Sequence, residues 1–167
     1  METFRIGQGY DVHRIVHGEG RMMHCGVEVA TDAYFEAHSD GDVAIHALCD
    51  ALLGAVALGD IGLHFPPSDP KWKGADSRDL LSRVVELVRS RGYVVGNVDI
   101  TIALQSPKIG RFVSQMRSTL APLLGVGEDA VSVKATTTER LGFVGRGEGC
   151  EAWASGLVRL VNENPPR

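Results

Sequence analysis

The most constraining feature of this sequence is the run over residues 41–58, GDVAIHALCDALLGAVAL. It is predicted to form one helix, with Asp40 or Ser39 as its N-cap and Gly59 as its stop. Apolar residues occupy almost every side of that helix, so the helix should be buried. A histidine in such a place, here His46, must be neutral and hydrogen-bonded, or bound to a metal.

Composition favours one globular domain spanning residues 1–167. Apolar residues make up 44% of the 167 and charged residues 23%, which is enough for a core and ordinary for a globular chain. The net charge is −4 and the sequence has no run of Lys and Arg. Nucleic acid is therefore not expected as a partner, because phosphate binding leaves a basic footprint.

Neither a membrane nor an export route is predicted. No apolar run approaches the roughly 20 residues that span a bilayer. The first residues, METFRIGQGYDVH, lack the pattern of a signal or transit peptide. The three cysteines are widely spaced without a C-x-x-C pair, as expected for small buried thiols in a reducing compartment. We expect a cytoplasmic protein.

Hydrophobic periodicity predicts an alternation of strands and helices. A second helix follows a Pro-rich loop over 66–77; Asp76 or Ser77 caps it and Gly92 ends it. The other expected elements are strands over 3–12, 98–104, 130–137 and 151–162, a hairpin over 21–29 and a helix over 110–125. This order predicts an α+β fold, a two-layer α/β sandwich whose mixed sheet is covered by helices on one face.

The segment YDVH supplies a candidate metal site. Asp11 and His13 lie two residues apart near a predicted strand end, so both side chains share one face. With His46 they would give three Asp and His ligands and leave one position open, as in catalytic zinc sites. A surface ion pair between Asp11 and His13 is the alternative.

His46 also has a candidate partner within its own helix. Asp50 follows one turn later and could orient the imidazole while the other ring nitrogen binds a metal. The alternative is a metal-free His–Asp pair in the core.

Two further segments contain residues that could bind phosphate groups. His38 precedes the start of the long helix, where a histidine could position or protonate a phosphate, unless it is an ordinary loop residue. Residues 134–149, KATTTERLGFVGRGEG, offer threonine hydroxyls, Glu139 and Arg146. Such groups suit phosphates, and Glu139 suits Mg²⁺ or Mn²⁺, although a strand followed by a flexible turn would give the same pattern.

Together these groups favour metal-assisted phosphoryl transfer. The sequence has no G-x-S-x-G motif and no dinucleotide fingerprint to favour acyl or hydride transfer. Two rivals stay open: a zinc phosphohydrolase acting on a nucleotide diphosphate, and a nucleotide-binding protein without catalysis.

Five blocks of the chain resemble a known family. They are GQGYDVHR, AHSDGDVAIHALCDALLGAVALGDIG, FPPSDPKWKGADS, GYVVGNVDITIALQSPKI and VKATTTERLGFVGRGEG. On these blocks the chain resembles the 2-C-methyl-D-erythritol 2,4-cyclodiphosphate synthase family of the non-mevalonate isoprenoid pathway. The resemblance implies attack of the 2-phosphate of 4-diphosphocytidyl-2-C-methyl-D-erythritol 2-phosphate on its β-phosphorus, with release of CMP.

The resemblance also implies roles for individual residues. Asp11, His13 and His46 would hold Zn²⁺, Glu139 would hold Mg²⁺ or Mn²⁺ between the substrate phosphates, and His38 and Thr137 would stabilise the transition state. The implied substrate contacts are Asp11, Val12, His13, His38, Ser39, Asp60, Ile61, Gly62, Phe65, Pro66, Pro67, Ser68, Asp69, Leu104, Gln105, Ser106, Pro107, Lys108, Ile109, Gly110, Thr136, Thr137, Thr138, Glu139, Phe143 and Arg146.

Family resemblance further implies a ferredoxin-like arrangement and a homotrimer around the sheets, with active sites at the subunit interfaces. We expect Ala152, Ala154 and Gly156 to pack against other copies. The chain departs from the family pattern at Pro67, where Asp is common, and at Glu151 and Trp153, which alter the cavity on the trimer axis. His64 is interpreted as a loop surface residue, not a ligand.

Overall fold

A computed structural model of the chain describes residues 3–161. Its strands are β1 (Phe4–His17), β2 (Met22–His24), β3 (Val27–Ala30), β4 (Ala33–Glu36), β5 (Tyr93–Ala103), β6 (Val131–Thr136) and β7 (Gly149–Leu160). Its α-helices are α1 (Val43–Ala55), α2 (Ile61–His64), α3 (Ser77–Ser90), α4 (Val113–Leu124) and α5 (Gly142–Gly145). Short 3₁₀ turns cover Pro70–Trp72, Gly110–Phe112 and Glu128–Ala130.

Five strands form one mixed sheet in the order β4-β1-β7-β5-β6. Neighbouring strands are antiparallel except for β5 and β6, which are parallel. The hairpin β2–β3 forms a separate two-stranded sheet. The predicted α+β class and mixed sheet are confirmed, while the ferredoxin-like arrangement stays a prediction.

The helices cover one face of the large sheet. Helix α1 packs on β1 and β7, α3 packs on α1 and β5, and α4 packs on β6. Val98, Ile100 and Ile102 are buried on that face, as their alternation predicts. The opposite face carries exposed apolar side chains, with Ile6 73% and Tyr10 46% exposed.

Glycine explains how closely α1 approaches β1. A Cβ atom on Gly7 would lie 1.9 Å from the carbonyl oxygen of Ala51, closer than atoms can approach. The GQG motif therefore lets the helix backbone lie directly on the strand. That contact places His46 over Asp11 and His13.

The helix ends differ from the prediction in two places. The N-cap of α1 is Asp42, whose carboxylate accepts from the Ile45 N–H, and not Asp40 or Ser39. Asp42 also accepts from the N–H groups of Cys25 and Gly26, so the cap serves the β2–β3 turn as well. Helix α1 ends at Ala55, four residues before the expected stop at Gly59.

Some of the remaining predictions are confirmed and others are wrong. Asp76 caps α3, as expected. Strand β4 and helices α2 and α5 were not predicted, and β1 extends to His17 because β4 supplies it with a partner. The expectation that Ala152, Ala154 and Gly156 face other copies is wrong: these residues face the helix side of β7, and both alanines are at most 1% exposed. Within residues 3–161, no helix combines the length and the apolar character needed to cross a bilayer.

Candidate metal site and substrate clefts

Three side chains from two elements converge on one point. Asp11 and His13 project from the helix-facing side of β1, and His46 projects from the first turn of α1. The Asp11 Oδ2 atom lies 3.0 Å from His13 Nε2 and 3.1 Å from His46 Nδ1. The two imidazole nitrogens lie 3.0 Å apart. The three atoms form a nearly equilateral triangle.

This triangle fits a tetrahedral metal ion. Ligand atoms bound at about 2.05 Å with tetrahedral angles lie about 3.3 Å from one another. Two nitrogens and one carboxylate oxygen are donors typical of catalytic zinc sites, which keep a fourth position for water or substrate. The predicted grouping of Asp11, His13 and His46 as a possible metal site is confirmed by this geometry.

Electrostatics favour a charged carboxylate in this group. Burial alone would raise the pKa of Asp11, but hydrogen bonds and charge interactions with His13 and His46 hold that pKa well below its usual range. Burial alone would lower the pKa of His46, and the adjacent Asp11 raises it instead. An anionic Asp11 is the state that a cation requires.

A serine–aspartate pair orients the far side of His46. Its Nε2 atom lies 3.1 Å from Ser39 Oγ and 3.0 Å from Ser77 Oγ. The Ser77 hydroxyl donates to Asp40, whose carboxylate also accepts from the Ser77 N–H. With its own hydrogen donated to Asp40, the Ser77 oxygen can accept from Nε2–H, which leaves Nδ1 free as a metal ligand.

The predicted partnership between Asp50 and His46 is wrong. Asp50 accepts a hydrogen bond from the Ile61 N–H at 2.7 Å and so anchors helix α2 to α1. Ser77, whose hydroxyl does lie within hydrogen-bond distance of His46 Nε2, comes from α3. Only the three-dimensional packing could reveal that partner.

A cavity of about 230 Å³ opens beside the three ligand atoms. It brings together many residues expected at the site: Asp11, His13, His38, Ser39, His46, Ile61, Gly62, Phe65 and Pro67. Ala37, Trp72 and Leu80 complete the wall and were not predicted. For Trp72, the available signal was one large aromatic residue in a polar, Pro-rich loop.

A second cleft of about 430 Å³ lies at the ends of β5 and β6. Its walls contain the expected residues Leu104, Pro107, Lys108, Ile109, Gly110, Thr136 and Thr137, together with Ala135. Gln105 lies beside it and accepts from the Arg140 N–H at 3.3 Å. The cavity at the metal site shares none of these residues.

The Thr137–Glu139 segment is held by local hydrogen bonds. The Thr137 hydroxyl donates to Glu139 Oε1 at 3.1 Å, and Glu139 adopts a left-handed backbone with φ of 53°. The Glu139 side chain is exposed and lies in neither cleft wall.

Several other expected residues lie outside both cleft walls: Asp60, Pro66, Ser68, Asp69, Ser106, Thr138 and Arg146. Arg146 is instead paired with Glu148 at 2.8 Å. Val12 and Phe143 line a separate recess with His13.

Sheet register separates the two clefts within one chain. Val12 on β1 aligns with Glu151 on β7, Glu151 with Ala103 on β5, and Ala103 with Thr136 on β6. Three strand spacings along this row amount to about 14 Å. The hydroxyl-rich segment of a chain therefore stands across the sheet from that chain's own histidines.

Fold and site together define a mixed α+β protein in which a carboxylate–histidine group that could hold a metal ion lies beside a cleft. The chain belongs to the YgbB family, whose model matches residues 4–159. A relative from Thioalkalivibrio sulfidiphilus, named 2-C-methyl-D-erythritol 2,4-cyclodiphosphate synthase, is 60% identical over 95% of this chain and 98% of its own length. A relative of the same name from Methylococcus capsulatus is 56% identical over 93% of this chain and 98% of its own. The resemblance predicted from sequence is confirmed.

Solved structures share the fold. The bifunctional IspDF from Campylobacter jejuni matches with a TM-score of 0.93 and 40% identity, covering 97% of this chain and 44% of that longer chain. IspF from Plasmodium falciparum in complex with CDP matches with a TM-score of 0.83 and 33% identity, covering 95% of this chain and 97% of that one.

Proposed function

We propose that this chain converts 4-diphosphocytidyl-2-C-methyl-D-erythritol 2-phosphate to 2-C-methyl-D-erythritol 2,4-cyclodiphosphate and CMP, a reaction of the non-mevalonate isoprenoid pathway. An oxygen of the 2-phosphate forms a bond to the β-phosphorus. The bond from that phosphorus to the oxygen bridging it to the α-phosphorus breaks, and CMP leaves with that oxygen. The names of the curated relatives support this assignment.

The observation that carries the proposal is the convergence of Asp11, His13 and His46 at 3.0–3.1 Å beside a cavity. Nucleophile and electrophile are both phosphates, so their mutual repulsion is a main part of the barrier. Positive charge at the site would reduce the repulsion between the two phosphates. A site that holds the substrate in a folded conformation would also bring the reacting atoms together.

The two-histidine, one-carboxylate donor set favours Zn²⁺ at this site. When bound, the zinc ion would supply a positive charge that neutralises and orients a phosphate. His38 lines the same cavity and Ser39 shares it, so both can contact the phosphate that faces the metal. In this proposal His38 and Thr137 stabilise charge in the transition state.

Glu139 is proposed to hold Mg²⁺ or Mn²⁺ between the substrate phosphates, since carboxylate oxygens are the ligands that these hard cations prefer. The cleft at Leu104–Gly110 and Thr136–Thr137 is proposed to take the cytidine diphosphate moiety. The related Plasmodium falciparum structure is a complex with CDP, which supports a nucleotide diphosphate as the ligand class.

We propose further that three copies assemble with each active site shared between neighbours. The uncovered sheet face supports this, because Phe4, Ile6, Tyr10 and Val12 are 41–73% exposed in a single chain. The separation of about 14 Å between β1 and β6 also supports it, since a neighbour's cleft can meet the metal site where the chain's own cleft does not. The whole of residues 1–167 would act as one cytoplasmic domain.

Product analysis tests the proposed reaction. Purified protein with Zn²⁺ and Mg²⁺ is incubated with the substrate, CMP is measured by chromatography, and the phosphorus products are identified by ³¹P NMR. We expect equal amounts of CMP and cyclic diphosphate. Linear phosphate products without the cyclic one would instead show a phosphohydrolase, and substrate binding without CMP release would show a binding protein.

A further inference from the structure

A further cleft, distinct from the one at the ends of β5 and β6, lies behind the aromatic wall of the metal-site cavity. It has a volume of about 470 Å³, within the range of small-molecule sites. It is lined by His64, Phe65, Lys71, Trp72, Arg83, Glu86, Leu87 and Ser90. Phe65 and Trp72 also line the metal-site cavity, so this pair separates the two spaces.

Two cations converge on the Trp72 ring in this cleft. Lys71 Nζ lies 4.6 Å from the ring centroid and the Arg83 guanidinium carbon lies 5.4 Å from it. Phe65 packs edge-on against the same ring at 4.9 Å and fixes its orientation. Stacking on a ring holds a cation in place while leaving its N–H groups free to bind a ligand.

These cations have no close carboxylate partner. Among residues 3–161, neither Lys71 nor Arg83 has a carboxylate oxygen within 4.0 Å. Glu86 is the one acid in the cleft wall, so the lining carries a net charge of +1 from two cations and one anion. The whole chain carries −4, and a local positive excess is therefore a distinctive feature.

His64 also lines the cleft. Its Nε2–H donates to the Leu58 carbonyl oxygen at 2.8 Å, which orients the ring and places its other nitrogen away from that bond. The interpretation of His64 as a loop surface residue is wrong, because His64 is the last residue of α2 and is half-buried. Its position in the cleft wall was not expected from sequence.

We propose that this cleft binds the phosphate group of a small metabolite at Lys71 and Arg83, outside the substrate site. The fork of an arginine matches phosphate oxygens two at a time, and a lysine adds a point charge beside it. Because Trp72 belongs to both walls, a ligand in the cleft contacts a residue that also borders the metal site. Binding of an anion in this cleft can therefore affect the neighbouring metal-site cavity through Trp72.

Trp72 emission provides the test, and inorganic phosphate is the probe. The Trp153→Phe protein, with its metal retained, leaves Trp72 as the single tryptophan. Phosphate is titrated against potassium chloride at matched ionic strength, following emission and the ¹⁵N shift of the Trp72 indole. Lys71→Gln and Arg83→Gln are compared with Lys73→Gln, which removes a charge from the same loop outside the cleft wall.

We expect saturable changes with phosphate that are absent with chloride. The dissociation constant should rise about tenfold in Lys71→Gln and in Arg83→Gln and stay unchanged in Lys73→Gln. The proposal is overturned if phosphate changes neither signal, or if Lys71→Gln and Arg83→Gln bind phosphate as tightly as the parent protein. The latter result would place the phosphate at the metal site.

Discussion

Gly9 on β1 lies directly under the backbone of α1 at Ala47. A Cβ atom on Gly9 would lie 1.8 Å from the Ala47 carbonyl oxygen, a separation that only movement of the backbone could relieve. Ala47 follows the metal-site residue His46, and Gly9 precedes Asp11 by two positions. The absence of one side chain thus sets the distance between the two halves of the metal site.

Replacing Gly9 with Ala should therefore destabilise the protein and weaken metal binding together. We expect a loss of about 2 to 4 kcal/mol in the free energy of unfolding, because the clash is with backbone and not with a flexible side chain. Urea denaturation and metal analysis of the purified variant provide the measurements.

Gly54→Ala is the matched control. Gly54 lies in α1, and an added Cβ there would meet no atom within 4 Å. That change should stabilise the helix by up to about 1 kcal/mol and leave metal content intact. Equal metal content in Gly9→Ala and the parent protein would contradict the positioning argument.

Ser77 should tune the metal site without touching the metal. Ser77→Ala removes a hydrogen-bond acceptor for His46 Nε2 and leaves Asp40 without the hydroxyl that donates to it. We expect zinc affinity, measured by competition with a chelating dye, to fall about tenfold or more. Asp50→Asn should leave zinc affinity unchanged, since Asp50 bonds to Ile61 instead; the reverse ranking would restore Asp50 as the orienting residue.

His24 should make stability depend on pH. It is completely buried, neither ring nitrogen has a hydrogen-bond partner among residues 3–161, and burial lowers its pKa from 6.5 to about 3. Between those values the unfolded chain binds a proton that the folded chain refuses, so stability falls as the pH drops. From pH 7 to pH 5, His24 alone should reduce the free energy of unfolding by about 2 kcal/mol.

His24→Leu should remove that contribution and stabilise the protein at pH 7, because it deletes two unsatisfied buried nitrogens. Urea denaturation at both pH values measures the difference between parent and variant. Exposed His17, replaced by Gln, serves as the control and should leave the pH dependence as it is. An unchanged pH dependence in His24→Leu would show that the folded protein accommodates a charged His24.

The sequence predicted those parts of the fold that depend on local pattern. Alternation placed Val98, Ile100 and Ile102 on the buried face of β5, and capping chemistry identified Asp76 at the start of α3. Strand β4 was missed because four residues carry too little pattern, and it is stabilised by pairing with β1.

In the candidate site, too, local patterns were predicted correctly and contacts between distant elements were not. Period-two spacing brought Asp11 and His13 to one face, and a polar residue inside a buried helix drew attention to His46. The partner of His46 was predicted incorrectly because helical spacing favours Asp50, whereas Ser77 comes from a helix 31 residues away. Trp72 was missed because a loop aromatic carries no periodic signal.

A shared active site predicts complementation between inactive variants. His46→Ala lacks a proposed ligand of Zn²⁺, and Glu139→Gln lacks the proposed ligand of Mg²⁺ or Mn²⁺. Each variant alone should therefore be inactive. In randomly mixed trimers, about a quarter of the shared sites would contain both intact halves. Recovery of about a quarter of the parent's CMP release after co-expression supports sharing between subunits, and a mixture as inactive as its components would contradict it.

Metal dependence at Asp11, His13 and His46 tests the central claim most directly. CMP release from 4-diphosphocytidyl-2-C-methyl-D-erythritol 2-phosphate is measured at three stages of one preparation: as purified, after a chelator has removed the metal, and after Zn²⁺ has been added back. Mg²⁺ is present in every assay. Metal content is determined at each stage. We expect activity to disappear with the bound metal and to return when about one zinc ion per chain is restored. Full CMP release by metal-free protein would contradict the account.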